Sequence, residues 1–123
     1  MVQLKSSYVY IPVSNLQCAS EWYSQHLGFK VVKEDPIYLE LRTEAGIRIM
    51  LIPNENKITS HMNYQNGTQA AYGFTVSDIE SVYQEFKDKG IQVGKISNYQ
   101  GKSFAFQDLD GNVIELWGDY SAD

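Results

Sequence analysis

Apolar residues fall along this chain in two rhythms, and the order of the rhythms is repeated. Tyr8 to Val32 reads "YVYIPVSNLQCASEWYSQHLGFKVV" and Ala71 to Val93 reads "AYGFTVSDIESVYQEFKDKGIQV". In each, a strand-like run ends in a valine, Val13 or Val76, and is followed by Ser-Asn-Leu or Ser-Asp-Ile. Apolar residues then recur at helical spacing, as Leu16, Ala19, Tyr23 and Leu27 and again as Ile79, Val82, Tyr83 and Phe86. Ser14 with Gln17 and Ser77 with Glu80 have the spacing of a capping box, which satisfies the free N–H groups of a first turn reciprocally. Gly28 and Gly90 stand where a left-handed residue ends each helix.

Three strand candidates follow each helix. In the first half they are "FKVVKE", "IYLELRTE" and "IRIMLIP", with Glu44-Ala45-Gly46 as a hairpin turn; in the second they are "IQVGKI", "KSFAFQD" and "NVIELWG". Between the halves, Asn54 to Gln69 is polar and rich in Asn, and reads as a connecting loop. The pattern predicts a single α+β domain over residues 1–123, built of two β-α-β-β-β modules at about 5–53 and 70–119 with a linker at about 54–69. Roughly eight strands form one curled mixed sheet, a cup, with the helices outside it.

Alternation sorts the strand residues into two faces. Val9, Ile11, Val13, Ile37, Leu39, Leu41, Ile47, Ile49 and Leu51 share an apolar face with Tyr72, Phe74, Val76, Phe104, Phe106, Ile114 and Leu116, and these predict the core. The other face is mixed. It carries Tyr8, Tyr10, Tyr38, Glu40, Arg42, Arg48, Met50 and Ile52 from the first half, with Ala71, Gly73, Thr75, Ser103, Ala105, Gln107, Val113, Glu115 and Trp117 from the second. A solvated face would hold more Lys and Thr and fewer Tyr, Met and Trp, so a half-dry pocket on the concave side explains it better.

Composition narrows the functional classes. The 123 residues are 43% hydrophobic and 20% charged, with 10 basic against 15 acidic residues and a net charge of −5. There is no basic stripe, so nucleic acid and anionic membranes are poor partners. Cys18 is the sole cysteine, which excludes an internal disulfide and suits a reducing compartment. No segment has the length or apolarity of a membrane span or a secretory leader, and a cytoplasmic protein is expected.

Near the C-terminus, "FQDLDGNVIELWG" sets Asp110-Gly111-Asn112 as a tight turn before a strand in which Glu115 lies between Val113 and Trp117 on one face. That carboxylate raises the question of chemistry. Together with "VSNLQCASEWYSQHLGF", the stretch "DLDGNVIEL" resembles the signatures of the vicinal oxygen chelate superfamily, which includes glyoxalase I, extradiol dioxygenases, fosfomycin-resistance enzymes and bleomycin-binding proteins. The resemblance covers nearly the whole chain. It implies a cup holding a divalent metal, with ligand positions that fall here on Tyr8, Met50, Ala71 and Glu115. Of these only Glu115 matches: a neutral Tyr is a poor ligand, Met is soft, and Ala offers no donor.

No cofactor and no metal are therefore expected. His26 is expected to face solvent late in the first helix, and His61, in the linker, is a remote candidate to join Glu115 as a ligand. Glu115 reads either as the remnant of a metal site that contacts ligand or as a buried charge paired with Arg48 or Arg42 across the cup. The ligand-binding candidates are Tyr8, Tyr10, Tyr38, Glu40, Arg48, Met50, Gln107, Glu115 and Trp117. Aromatic rings with polar tips give a ligand contact area at low entropic cost.

The first functional expectation is a metal-free module that sequesters or senses a small aromatic or antibiotic-like molecule. The alternatives are a lyase, isomerase or dioxygenase with an atypical metal set including Glu115, and metal-free acid–base catalysis by Glu115 or Glu40. Catalytic residues are otherwise unassigned. Cys18 has no basic neighbour and reads as packing. Open sheet edges predict a homodimer.

Overall fold

The structure is a computed structural model, and residues 1–118 are described. Elements alternate as the two rhythms predict. The first module runs β1 (Val9–Val13), α1 (Leu16–Leu27), β2 (Lys30–Asp35), β3 (Tyr38–Arg42) and β4 (Arg48–Pro53). A short hairpin follows, β5 (Met62–Tyr64) and β6 (Gly67–Gln69). The second module runs β7 (Gly73–Thr75), α2 (Ile79–Asp88), β8 (Ser97–Asn98), β9 (Lys102–Gln107) and β10 (Val113–Trp117). The chain divides into two compact units, Met1–Ile58 and the part that begins at Thr59.

Hydrogen bonding makes two four-stranded sheets, ordered β1-β4-β3-β2 and β7-β10-β9-β8, where the sequence pattern predicts one sheet. The two have one topology. β1 runs parallel to β4 and β7 parallel to β10, while the remaining neighbours are antiparallel. A parallel neighbour requires a crossover connection, and the helix after β1 or β7 belongs to it.

The apolar face packs as alternation demands. Ile11, Val13, Leu39, Leu41, Ile49 and Leu51 are buried in the first unit with Ala19 and Tyr23 of α1, and with Phe29. In the second unit Phe104, Phe106, Ile114 and Leu116 are buried with Ile79 and Phe86 of α2. There the Phe86 ring stands edge-on to Phe104 and to Phe106, at centroid separations of 5.9 Å and 5.2 Å. Each fully buried side chain of this size contributes roughly 1.5–3 kcal/mol. Of the predicted core residues, Val9, Ile47, Tyr72, Phe74 and Val76 are only half-buried, and Ile37 is displaced altogether. Ile37 is 68% exposed because it sits with Pro36 in the turn between β2 and β3, where strand alternation does not apply.

Three further local expectations are corrected. The helix caps are Asn15, which accepts from the Cys18 N–H at 2.8 Å, and Asp78, which accepts from the Ser81 N–H at 3.4 Å, rather than Ser14 and Ser77. The linker contains the β5–β6 hairpin. "IQVGKI" is no strand: Val93 makes a single bridge to Phe106, and the two-residue β8 lies beyond it. The ends of the helices do follow the glycines, with Gly28 at φ 74° and Gly90 at φ 77°. Among the described residues no helix is long and apolar enough to cross a membrane.

Candidate functional site

Strand register turns the mixed face of each sheet into rows. In the first unit Tyr10 pairs with Met50 and Met50 with Glu40, so the three form one row, and Lys33 of β2 extends it. Arg48 and Arg42 form the row on one side, next to Tyr8, and Ile52 and Pro12 belong to the other, next to Tyr38. In the second unit the corresponding row is Gly73, Glu115 and Ala105, and the next is Thr75, Trp117 and Ser103. Val113 and Gln107 pair on the opposite side. The predicted ligand residues are thus gathered on two sheet faces, with Tyr8, Tyr10, Tyr38, Glu40, Arg48 and Met50 on the first and Gln107, Glu115 and Trp117 on the second.

On the first face the charges satisfy one another. Glu40, nearly buried, accepts from Arg48 Nε at 2.9 Å and from Arg42 Nη2 at 3.2 Å, both on Oε2. The Arg48 hydrogen bond holds the Glu40 carboxyl below its ordinary range; burial opposes this, and Arg42 adds to it. A carboxyl so held lies further from the near-neutral pKa that suits a general base. Arg48 also donates to Ser6 Oγ at 3.1 Å, and its guanidinium lies 5.5 Å from the centroid of the Tyr8 ring. Tyr8 stands edge-on to Tyr10 at 5.5 Å, and both rings are half exposed. Lys33, a residue the sequence reading left unused, lies 5.7 Å from the Tyr38 ring centroid, and its pKa is raised by the hydrogen bond to the Tyr38 hydroxyl.

Within the second unit Glu115 has a partner on its own strand. Arg48 and Arg42 both donate to Glu40, and the half-buried Glu115 carboxylate accepts from the indole N–H of Trp117, two residues along the same strand face. Gly73 is the register partner of Glu115 on β7. A Cβ there would overlap the Glu115 carbonyl oxygen and come within 3.1 Å of its Cβ, so the row closes only around a glycine. Trp117 lies beside Gly101, where an added Cβ would be 3.6 Å from the indole ring.

Behind this face, the "DLDGN" stretch forms a buried polar network. Asp108 Oδ1 accepts from the backbone N–H groups of Asp110 and Asn112 at 2.8 and 2.9 Å, closing the turn in which Gly111 has φ 82°. The Asn112 side chain is buried. Its amide donates to Asp108 Oδ2 at 2.9 Å, and its Oδ1 accepts from the N–H and hydroxyl of Ser60. Ser60 Oγ lies 3.2 Å from the hydroxyl of Tyr72, whose pKa is raised, chiefly by burial. Sequence reading gave Asn112 to a turn for its tolerance of positive φ; it serves instead as a tether through its side chain.

The histidines are placed by the same geometry. His61 Nδ1 accepts from the Val113 N–H at 3.1 Å, which in a neutral ring leaves the proton on Nε2. His61 therefore spends one ring nitrogen on the backbone. His26 is half-buried rather than solvent-facing, edge-on to Trp22 at 5.0 Å. Cys18 is exposed on α1.

A divalent metal fits this donor set poorly. The implied ligand positions offer a phenol already stacked under Arg48, a thioether, a methyl group and one carboxylate. Hard and borderline cations need more oxygen and nitrogen than that. Among the described residues, no three His, Cys, Asp or Glu side chains are grouped so as to hold a metal ion.

Two β-α-β-β-β modules with matched registers and an open mixed face define a class of small-molecule-binding and metalloenzyme folds. The chain belongs to the Glyoxalase/Bleomycin resistance protein/Dioxygenase superfamily, whose family model matches residues 5–116. A search of curated proteins by sequence returns no match. Solved structures show the fold. TnmS3, an antibiotic binding protein from Streptomyces sp. CB03234, is similar at 20% identity and a TM-score of 0.77, over 96% of this chain and 98% of that one. Oxidase ChaP-H2 is similar at 12% identity and a TM-score of 0.72, over 99% and 98% of the two chains. A lactoylglutathione lyase from Agrobacterium tumefaciens is similar at 15% identity and a TM-score of 0.68, over 93% and 92%.

Proposed function

We propose that this protein binds a small aromatic molecule on the mixed faces of its modules without a metal, and that it sequesters or senses that molecule. The observation that carries the reading is the donor set. Three of the four positions that would hold a metal are Tyr8, Met50 and Ala71, and the fourth, Glu115, accepts from an indole. What the faces do offer is aromatic surface with polar tips: Tyr8, Tyr10 and Tyr38 on the first, and on the second Trp117 paired with Ser103, with Gly73 and Ala105 in the adjoining row. Such a surface suits a planar ligand. The antibiotic-binding neighbour supports a binding role for the fold, and the lyase and oxidase neighbours support an enzymatic alternative, for which a metal set including Glu115 is the candidate.

Two measurements separate them. Elemental analysis of the dialysed protein should find no stoichiometric Zn, Mn, Fe or Ni; one ion per chain, lost in Glu115→Ala, would establish the alternative. A thermal-shift screen of aromatic metabolites and antibiotics should yield a ligand that perturbs Trp117 fluorescence. Trp117→Ala should then weaken its binding by roughly 1–3 kcal/mol, as expected for loss of an aromatic anchor. A ligand bound equally well by Trp117→Ala would remove Trp117 from the site.

A further inference from the structure

Several carboxylates on this protein have a cation beside them. Glu40 holds two arginines, Glu85 pairs with Lys89, and Glu80 pairs with Lys102. Glu115 differs. It is half-buried, and within its own unit, among the described residues, no Lys, Arg or His forms an ion pair with it. Its partner is the uncharged Trp117 indole, which engages Oε1 and leaves Oε2 available. Drawing a carboxylate partly out of water without a counter-charge costs free energy, which a cation brought by a ligand recovers.

The surroundings say what carries that cation. Glu115 is flanked across the sheet by Gly73 and Ala105, which leave its side chain unobstructed in the row. A cavity of about 190 Å³ opens beside it, lined by Thr68, Gln92, Gly94, Ala105, Gln107 and Val113 among others, with no charged residue in the lining. Ala105 is the register partner of Glu115, and Val113 precedes it by two on the same face, so the cavity's lining includes the row of Glu115 and the next row, about 7 Å along the strand. Its volume is below the roughly 300–1,000 Å³ of sites for drug-sized ligands and suits a single ring. Thr68, Gln92 and Gln107 can hydrogen-bond a neutral polar substituent on that ring. The indole beside Glu115 adds attraction for a cation.

We propose that the ligand of this face is an arylalkylamine, with its ring in the cavity and its ammonium on Glu115 beside Trp117. The inference rests on the metal-free binding reading above and names the chemical class of the molecule bound. Three probes that share a phenol ring and differ in charge test it: tyramine, tyrosol and 4-hydroxyphenylacetate. The readout is the indole N–H resonance of Trp117 in a nitrogen–proton correlation spectrum, distinguished from that of Trp22 by Trp117→Phe. Tyramine should give a saturable shift and bind about tenfold more tightly than tyrosol or the acid. Glu115→Gln should remove about that tenfold advantage of tyramine over tyrosol. The wild-type ranking decides the matter by itself if the variant does not fold. Tyrosol binding as well as tyramine would overturn the cation and leave aromatic binding standing. Preference for the acid would also overturn it. No shift of Trp117 with any of the three would overturn this inference and the binding reading at this face together.

Discussion

Glu40 carries two guanidinium partners, and the forces on its carboxyl set how the first unit responds to acid. The Arg48 hydrogen bond lowers its pKa from the ordinary value of 4.5, burial partly opposes, and Arg42 reinforces. The folded protein therefore holds this proton less readily than the unfolded chain does. The stability gained is present above the unfolded value and is lost as pH falls from about 4.5 through the lower, folded value. Urea denaturation should show Glu40→Gln to be about 1–2 kcal/mol less stable at pH 7, because the partly buried Arg48 and the exposed Arg42 lose a charged partner. The gap to wild type should narrow below pH 4.5. A gap that does not change with pH would mean that the charge on Glu40 is not the source of the difference. At Gly73 the constraint is steric. Gly73→Ala should cost roughly 1–3 kcal/mol, measured by thermal unfolding, since the new Cβ meets the Glu115 backbone rather than a side chain that can turn away.

Elements depend on single anchors that can be removed one at a time. Asn15 caps α1 through its side chain, whereas Gln17 reaches forward to Glu21 at 3.2 Å and not back to the cap. Asn15→Ala should cost about 1 kcal/mol and Gln17→Ala only a few tenths, in chemical denaturation. Capping was legible from the sequence but was placed one residue early, because Ser fits the box spacing while the adjacent Asn15 and Asp78 cap equally well. The β5–β6 hairpin depends on Asn112, which holds Ser60 at its base. Asn112→Ala should cost about 1–3 kcal/mol, leaving Asp108 and Ser60 with unmet polar groups, and should speed hydrogen exchange in Met62–Tyr64 and Gly67–Gln69. The hairpin was not legible as strands because all six of its strand residues are exposed and carry no two-residue apolar alternation. Its one signal was Asn66-Gly67, a turn dipeptide inside a polar run.

For the whole molecule, β2 forms one edge of the first sheet and leaves Val31 39% and Val32 52% exposed. Apolar residues on an unpaired edge favour association with another strand, and two-fold pairing is the commonest solution. A homodimer of about twice the 14.0 kDa chain mass is the expected outcome of light scattering at micromolar concentration. Val32→Lys should shift it toward monomer if this edge is used, since charge on an edge opposes pairing. A wild-type protein that scatters as a monomer would refute the expectation.

Local periodicity by itself determined the two modules, their helices and nearly all of the core, from Ile11 and Leu41 to Phe106 and Leu116. Backbone sterics fix which side of a strand or helix each residue takes, and this needs no knowledge of the partner. It also placed Glu115 and Trp117 on one face. Tertiary structure decided everything that depends on which row stands beside which. Arg48 reaches Glu40 across the pairing of β3 with β4, whereas Arg42 and Trp117 each turn along their own strand, to Glu40 and to Glu115. Alternation cannot yield that result, because it names the face and not the neighbour. The same holds for Asn112, whose side chain meets Ser60 fifty-two residues away and turns a signature read as a turn into a tether.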